Sequence, residues 1–215
     1  MILSPSILAA DLGHLADEVA AVERGGAAEI HVDIMDGQFV PNLTLGPAVV
    51  GAVRRATRLP IDVHLMVERA ERHLDAFIDA GASSLHVHVE AVTHLQRAVA
   101  SLNERGIESG VVLNPSSPLA LVEEILPEVD RVLLMTVNPG FSFQKFLPSS
   151  LDKVRRLHEM IRARDVRARI QVDGGITTEN IRTIVEGGAE IIVAGAAAFS
   201  DDPESSSRNL IEAAG

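Results

Sequence analysis

The chain has 215 residues, is 47% hydrophobic and contains no cysteine, so it can bury one sizeable core but excludes disulfides, thiolate metal sites and cysteine nucleophiles. Its formal charge of -11 and pI near 5.1 argue against nucleic acid or an anionic membrane as the main partner, since both select basic surfaces. With no basic leader and no apolar run long enough to span a bilayer, a soluble cytoplasmic protein with one domain over residues 1–215 is expected; self-association is left open.

In chain order, short β-branched runs alternate with longer amphipathic segments. Strands are predicted over residues 3–8, 29–35, 61–66, 84–89, 108–113, 131–136, 169–173 and 191–194, with helices over 11–24, 46–57, 69–80, 93–105, 118–126, 149–164, 178–186 and 203–213. Glycine pairs or Gly-Ala steps at Gly25-Gly26, Gly81-Ala82 and Gly187-Gly188 precede strands; glycine suits the left-handed position that closes a helix, so each join reads as helix end, tight loop, strand. Pro118 and Pro203 suit first helical turns, and Thr178 suits an N-cap. Eight βα units predict an α/β protein of the (β/α)8 TIM-barrel class. A doubly wound open sheet usually has fewer strands and a glycine fingerprint after the first, which is missing here.

Three of the strands carry polar groups two residues apart, and alternation sends both members of each pair to one face: His31 with Asp33, Asp62 with His64, and Gln171 with Asp173. Buried imidazoles and carboxylates are costly unless paired, hydrogen-bonded or bound to a cation. Working groups of such barrels sit at the C-terminal strand ends, where Asp33, His64, Asp173 and Gly195 fall. Strands two and three are neighbours, and strand seven approaches across a mouth narrow enough for side chains to meet. Two imidazoles and two carboxylates suit zinc, manganese, iron or cobalt better than calcium or magnesium. A lone strand histidine is more often a satisfied core residue, and it is the convergence of four groups that favours a site. His86 and His88 are not excluded as ligands by spacing, although a structural role is favoured. Asp62 is expected to pair locally, and Asp36-Gly37 to form a turn.

The runs Pro5-Ser6-Ile7-Leu8, IHVDIMDGQFVPN from Ile30 to Asn42, DVHLM from Asp62 to Met66, GVVLNP from Gly110 to Pro115, LMTVNPG from Leu134 to Gly140, VDGGI from Val172 to Ile176, and Val193 to Gly195 resemble ribulose-phosphate 3-epimerase, in order and across nearly the whole chain. The resemblance implies a divalent metal held by His31, Asp33, His64 and Asp173, and interconversion of D-ribulose 5-phosphate and D-xylulose 5-phosphate in the pentose phosphate pathway. It makes Asp33 the proton acceptor and Asp173 the donor. Chemically, inverting a carbon beside a carbonyl does require two acids on opposite walls.

The resemblance also places Met35, Met66 and Met135 around the reaction centre, where barrel-mouth packing is the plainer reading. It gives Ser6 a substrate contact, a local turn cap being the plainer alternative. Substrate contacts are expected from Ser6, His64, Gly140, Phe141, Ser142, Phe143, Gly174, Gly175, Gly195 and Ala196. Lysine is confined to Lys145 and Lys153, neither at a strand end. Schiff-base chemistry is therefore disfavoured, and the phosphate of a sugar phosphate would be held by backbone N–H groups. The Asp-x-Lys-x-x-Asp pattern of related decarboxylases is missing. Ser142-Phe143 and Ala196 stand where the family usually has two glycines and a hydroxyl residue. These departures bear on phosphate affinity and substrate choice, with epimerisation of a longer ketose phosphate such as allulose 6-phosphate, or silent phosphate binding, as the alternatives.

Overall fold

The computed structural model describes residues 1–215. Its strands are β1 (Ile2–Pro5), β2 (Ile30–Met35), β3 (Ile61–Met66), β4 (Ser84–His88), β5 (Glu108–Leu113), β6 (Arg131–Met135), β7 (Arg169–Asp173) and β8 (Ile191–Ala194). All pairings are parallel in the order β1-β8-β7-β6-β5-β4-β3-β2. A bridge between Ser6 and His31 brings the end of β1 back against β2, so the sheet curls into a nearly closed (β/α)8 TIM barrel. The surrounding helices are α1 (Leu15–Arg24), α2 (Pro47–Ala56), α3 (Leu74–Ala80), α4 (Leu95–Glu104), α5 (Ser149–Arg164), α6 (Ile181–Glu186) and α7 (Pro203–Ala214). None is long and apolar enough to cross a membrane.

Strand alternation splits the interior into two chemical zones. Ile30, Val32 and Ile34 of β2, Ile61, Val63 and Leu65 of β3, and Val132 and Leu134 of β6 belong to one apolar cluster that also takes in helix residues such as Val19, Val50, Leu102 and Leu157. Each fully buried aliphatic side chain there contributes roughly 1.5–3 kcal/mol. The hydrophobic core is thus the layer between sheet and helices. The alternate residues face the barrel axis and are largely polar: Ser4, His31, Asp33, Asp62, His64, Ser84, His86, His88, Arg131 and Gln171 are all buried.

Most of these inward groups bond one another, with Ser4 Oγ, His31 Nε2 and His86 Nδ1 left without a partner. Asp62 Oδ2 is 2.7 Å from His31 Nδ1 and accepts from Gln171 Nε2 at 2.6 Å; its Oδ1 is 2.6 Å from His86 Nε2 and accepts from Ser84 Oγ. One layer below, Arg131 binds Glu29 at 2.9 Å and Glu108 at 2.6 Å, with Asp62 at 3.6 Å. Burial works against both charges. The neighbouring Asp62, Glu29 and Glu108 outweigh it to hold Arg131 protonated, and His86 and His31 outweigh it to keep Asp62 ionised. Asp62 therefore pairs locally, as a hub rather than in a simple pair.

Several expected elements differ: the helices over 11–24 and 69–80 begin with 3₁₀ turns, Leu12–His14 and Ala70–Arg72, and become α-helical only at Leu15 and Leu74. The first strand stops at Pro5, after which Ser6 accepts from Leu8 N at 3.3 Å and starts a 3₁₀ turn, Ile7–Ala9. Residues 118–126 form no α-helix, only 3₁₀ turns at Leu119–Leu121 and Leu126–Glu128. Leu121, Val122 and Glu123 donate three residues back, to Pro118, Leu119 and Ala120, and only Leu126 N reaches four back, to Val122 O at 2.9 Å, so the stretch closes as tighter turns. Thr178 is not an N-cap, because α6 begins at Ile181 after a turn in which Asn180 Oδ1 accepts from Thr177 N at 2.9 Å. By contrast Pro203 opens α7 and Gly81 closes α3 with φ 108°.

The inward packing makes Gly110 on β5 obligatory, since a Cβ there would lie 2.1 Å from His86 Nδ1. Gly110→Ala is expected to destabilise the fold by roughly 1–3 kcal/mol. Urea denaturation measures it, and an unchanged midpoint would contradict the close contact.

Candidate active site and metal centre

Strands β2, β3 and β7 bring His31, Asp33, His64 and Asp173 together, His31 from the second residue of β2 and Asp173 from the last of β7, with one ligand atom from each lying within 4.8 Å of all the others. The register explains it: Asp33 pairs with His64 across β2 and β3, and the Ser6–His31 bridge folds β1 over the same edge. Asp33 Oδ1 is 3.3 Å from His31 Nε2 and 3.1 Å from His64 Nδ1, while Asp33 Oδ2 accepts from Ser6 Oγ at 2.5 Å. Asp173 Oδ2 is 3.9 Å from His64 Nδ1.

His31 Nε2 is buried and has no hydrogen-bond partner, whereas its Nδ1 is bound to Asp62. A buried polar atom left unpaired at the focus of two carboxylates fits a cation ligand. The donor set of two imidazoles and two carboxylates fits a divalent metal ion, so the cluster could hold one. His86 and His88 lie outside it: His86 sits on Asp62, and His88 Nε2 lies 2.9 Å from His64 Nε2, on the side of that ring turned away from the cluster.

The four groups are electrostatically unequal. Burial would raise Asp33, but His31 and His64 hold its carboxyl far below the usual range. Burial, reinforced by the charge of Asp33, pushes Asp173 up to about 7. Burial pulls His64 down to about 3. His31 moves the other way, because Asp33 and Asp62 outweigh the burial that would lower it. One positive charge, a proton or a cation, is therefore favoured beside Asp33, and cation binding there would release a proton.

Asp33 and Asp173 open into a cavity of about 520 Å³ lined also by Ser6, Met35, Met66, Met135, Gly140, Phe141, Ser142, Phe143, Gly174, Gly175, Gly195 and Ala196. His64 is fully buried and does not line it. Phe143 adds little bulk to the cavity, being 84% exposed at the rim with a left-handed φ of 61°, a conformation that favours glycine. Lys145, Gln144, Thr177 and Asn180 also line the cavity. Sequence reasoning missed them because they lie on irregular loops with no periodic pattern. Lys145 in particular brings an exposed basic residue to the cavity wall, where only backbone donors are expected. The amides of Gly174, Gly175, Ala196 and Ala197 donate no hydrogen bond within the protein, leaving a row of free N–H groups on this wall.

Residues 2–199 match the model of the Ribulose-phosphate 3 epimerase family. The chain is 48% identical to a ribulose-phosphate 3-epimerase of Bacillus subtilis, covering 92% of this chain and 91% of that protein. It is 47% identical to a chloroplastic ribulose-5-phosphate-3-epimerase of Arabidopsis thaliana, covering 93% and 72%. Among solved structures, a 3-hexulose-6-phosphate synthase superposes with TM-score 0.74 at 20% identity over 100% of both chains, a likeness of fold alone.

The raised Asp173 has a signed consequence for the metal-free protein. Between its ordinary value of 3.8 and about 7 the folded state keeps a proton that the unfolded state has lost, so this group's contribution to stability falls as pH rises through that window and is flat above it. Asp173→Asn removes the effect. The variant's stability relative to the parent should be greater at pH 8 than at pH 4 by about 1–4 kcal/mol, measured by urea denaturation in the presence of chelator. Parallel pH curves would reject the assignment.

Proposed function

The chain belongs to the ribulose-phosphate 3-epimerase family, enzymes of the isomerase class, and from that premise we propose that residues 1–215 form one catalytic barrel domain that interconverts D-ribulose 5-phosphate and D-xylulose 5-phosphate by proton transfer between Asp33 and Asp173. The observation that carries this reading is the pair itself: two carboxyl groups of one cavity, one held ionised and the other pushed up to about 7. Groups separated in this way are suited to opposite roles, one as base and one as acid.

In the forward direction Asp33 takes the proton from C3 on one face of the sugar. The electron pair passes into the C2–C3 unit as an enediolate, and Asp173 returns a proton to C3 from the other face. The reverse reaction exchanges the roles. A divalent metal ion held by His31, Asp33, His64 and Asp173 would supply electrostatic stabilisation of the negative charge on the C2 and C3 oxygens, worth several kcal/mol. Ser6 Oγ, bound to Asp33 Oδ2, orients the carboxylate. Met35, Met66 and Met135 give the reacting carbon an apolar, polarizable wall that keeps bulk water from competing for its proton.

The substrate phosphate is assigned to the free amides of Gly174, Gly175, Ala196 and Ala197, with Lys145 adding positive charge. Backbone donors do not need the hydroxyl that Ala196 lacks. Gly195 opens this wall, since a Cβ there would meet only Ala9, at 3.5 Å.

The test is incubation of zinc- or manganese-loaded protein with ribulose 5-phosphate in deuterated water, followed by NMR. Deuterium should enter C3 as xylulose 5-phosphate forms; tight binding without exchange would sink the catalytic reading. Asp33→Asn and Asp173→Asn should each lower turnover by about 10²–10⁴, and near-normal turnover in either variant would remove that residue from the pair. Gly195→Val should raise KM about tenfold or more with the urea midpoint nearly unchanged, because the added side chain points into free space beside the phosphate wall; an unchanged KM would move the phosphate elsewhere.

A further inference from the structure

The barrel closes between β1 and β2, and that seam is short. The two strands stand at opposite ends of the sheet order and meet in one bridge, Ser6 to His31. Beyond it β1 has ended and the chain turns away as the 3₁₀ turn Ile7–Ala9. Successive residues of a strand point their backbone groups to opposite edges. Ile30 N donates to Pro60 O on the β3 side, so His31, Asp33 and Met35 point theirs toward the seam, and above the bridge β1 no longer receives them.

The half-buried Thr44 fills that place. Its Oγ1 donates to Asp33 O at 2.8 Å and accepts from Met35 N at 3.0 Å, and its N–H donates to Met35 O at 3.2 Å. In a parallel ladder, a strand residue opposite Ile34 would donate to Asp33 O and accept from Met35 N. One hydroxyl therefore makes both bonds of the missing strand residue. Thr44 is returned to this position by the turn at Asp36-Gly37. Asp36 Oδ1 accepts from Gln38 N at 2.8 Å and Phe39 N at 2.9 Å, Gly37 N donates to Asn42 O at 2.9 Å, and Leu43 bridges back to Asp36. The hydroxyl has no helix to cap, since the N-cap of α2 is Gly46.

We infer that Thr44 is a positioning residue that completes the β1–β2 seam above His31. It fixes the peptide units on both sides of Ile34, and from these Asp33 and Met35 enter the cavity. The glycine and alanine amides assigned to the phosphate follow β7 and β8, away from this seam, so loosening it costs turnover rather than substrate affinity. This inference rests on the proton-transfer role proposed for Asp33, and its test separates the two.

Thr44→Val keeps the shape and removes the hydroxyl, whereas Thr44→Ser keeps the hydroxyl. Thr44→Ala removes it without adding bulk and stands in should the valine variant not fold. The measurements are kcat and KM for ribulose 5-phosphate with zinc-loaded protein, hydrogen exchange of the Met35 amide, and the ¹³C shift of the Asp33 carboxyl carbon. Thr44→Val should lower kcat about 10–100-fold with KM within about twofold, and Thr44→Ser should keep kcat within about threefold of the parent. Exchange at Met35 should be about tenfold or more faster in Thr44→Val and nearly unchanged in Thr44→Ser. A Thr44→Val kcat within about twofold of the parent, or an equal loss in the serine variant, would overturn the inference. A parent without epimerase activity would instead reject the proton-transfer reading. The Asp33 carboxyl shift then decides: movement in Thr44→Val but not in Thr44→Ser upholds the positioning role, and no movement in either overturns it.

Discussion

Most side chains that the strands turn toward the barrel axis are buried, so a polar group placed there is costly unless another inward-facing group bonds it. In this chain that constraint is severe, because the axis carries histidines and charged residues where an aliphatic filling is the more usual solution. Asp62 answers it by taking hydrogen bonds from His31, Ser84, His86 and Gln171 at once. Arg131 closes the lower end against Glu29 and Glu108. Such a network adds little net stability over an apolar filling of equal volume, but breaking any member leaves a buried charge uncompensated. Stability comes mainly from the aliphatic layer outside the sheet, which leaves the axis free for chemistry.

The same network reaches the site. Both imidazoles of the cluster are bonded on the ring nitrogen that faces away from it, His31 by a carboxylate and His64 by a second imidazole backed by Glu90. Each nitrogen that faces the cluster, His31 Nε2 without a partner and His64 Nδ1 at 3.1 Å from Asp33 Oδ1, is therefore aimed by packing, which lowers the ordering entropy lost on binding. The two carboxyl groups differ for a related reason. Asp33 lies among both imidazoles and Ser6, whereas Asp173 has burial and a neighbouring negative charge against it. Preorganisation and acid-base asymmetry thus arise from one arrangement of inward-facing residues.

Much of this was legible along the chain. The eight strand runs, the two-residue spacing of His31 with Asp33 and the placement of Asp173 at a strand end follow from local rules, since β-branched periodicity and alternation act over a few residues. Where the reading failed, a local exception or a distant neighbour decided. The helix expected over residues 118–126 closed instead as 3₁₀ turns, and the turn before Ile181 absorbed the cap expected at Thr178. Lys145 entered the cavity wall on a loop whose path no periodicity encodes.

Residue order alone therefore determined the repeating βα units, which side chains share a strand face, and which polar groups would need partners. It could not say who those partners are. His88 facing His64, Gln171 reaching Asp62 across the barrel, and the free amides of Gly174 and Ala196 sharing one wall depend on ring closure and strand register. Those are set by packing among residues far apart in sequence, and only the assembled barrel brings them within hydrogen-bond reach.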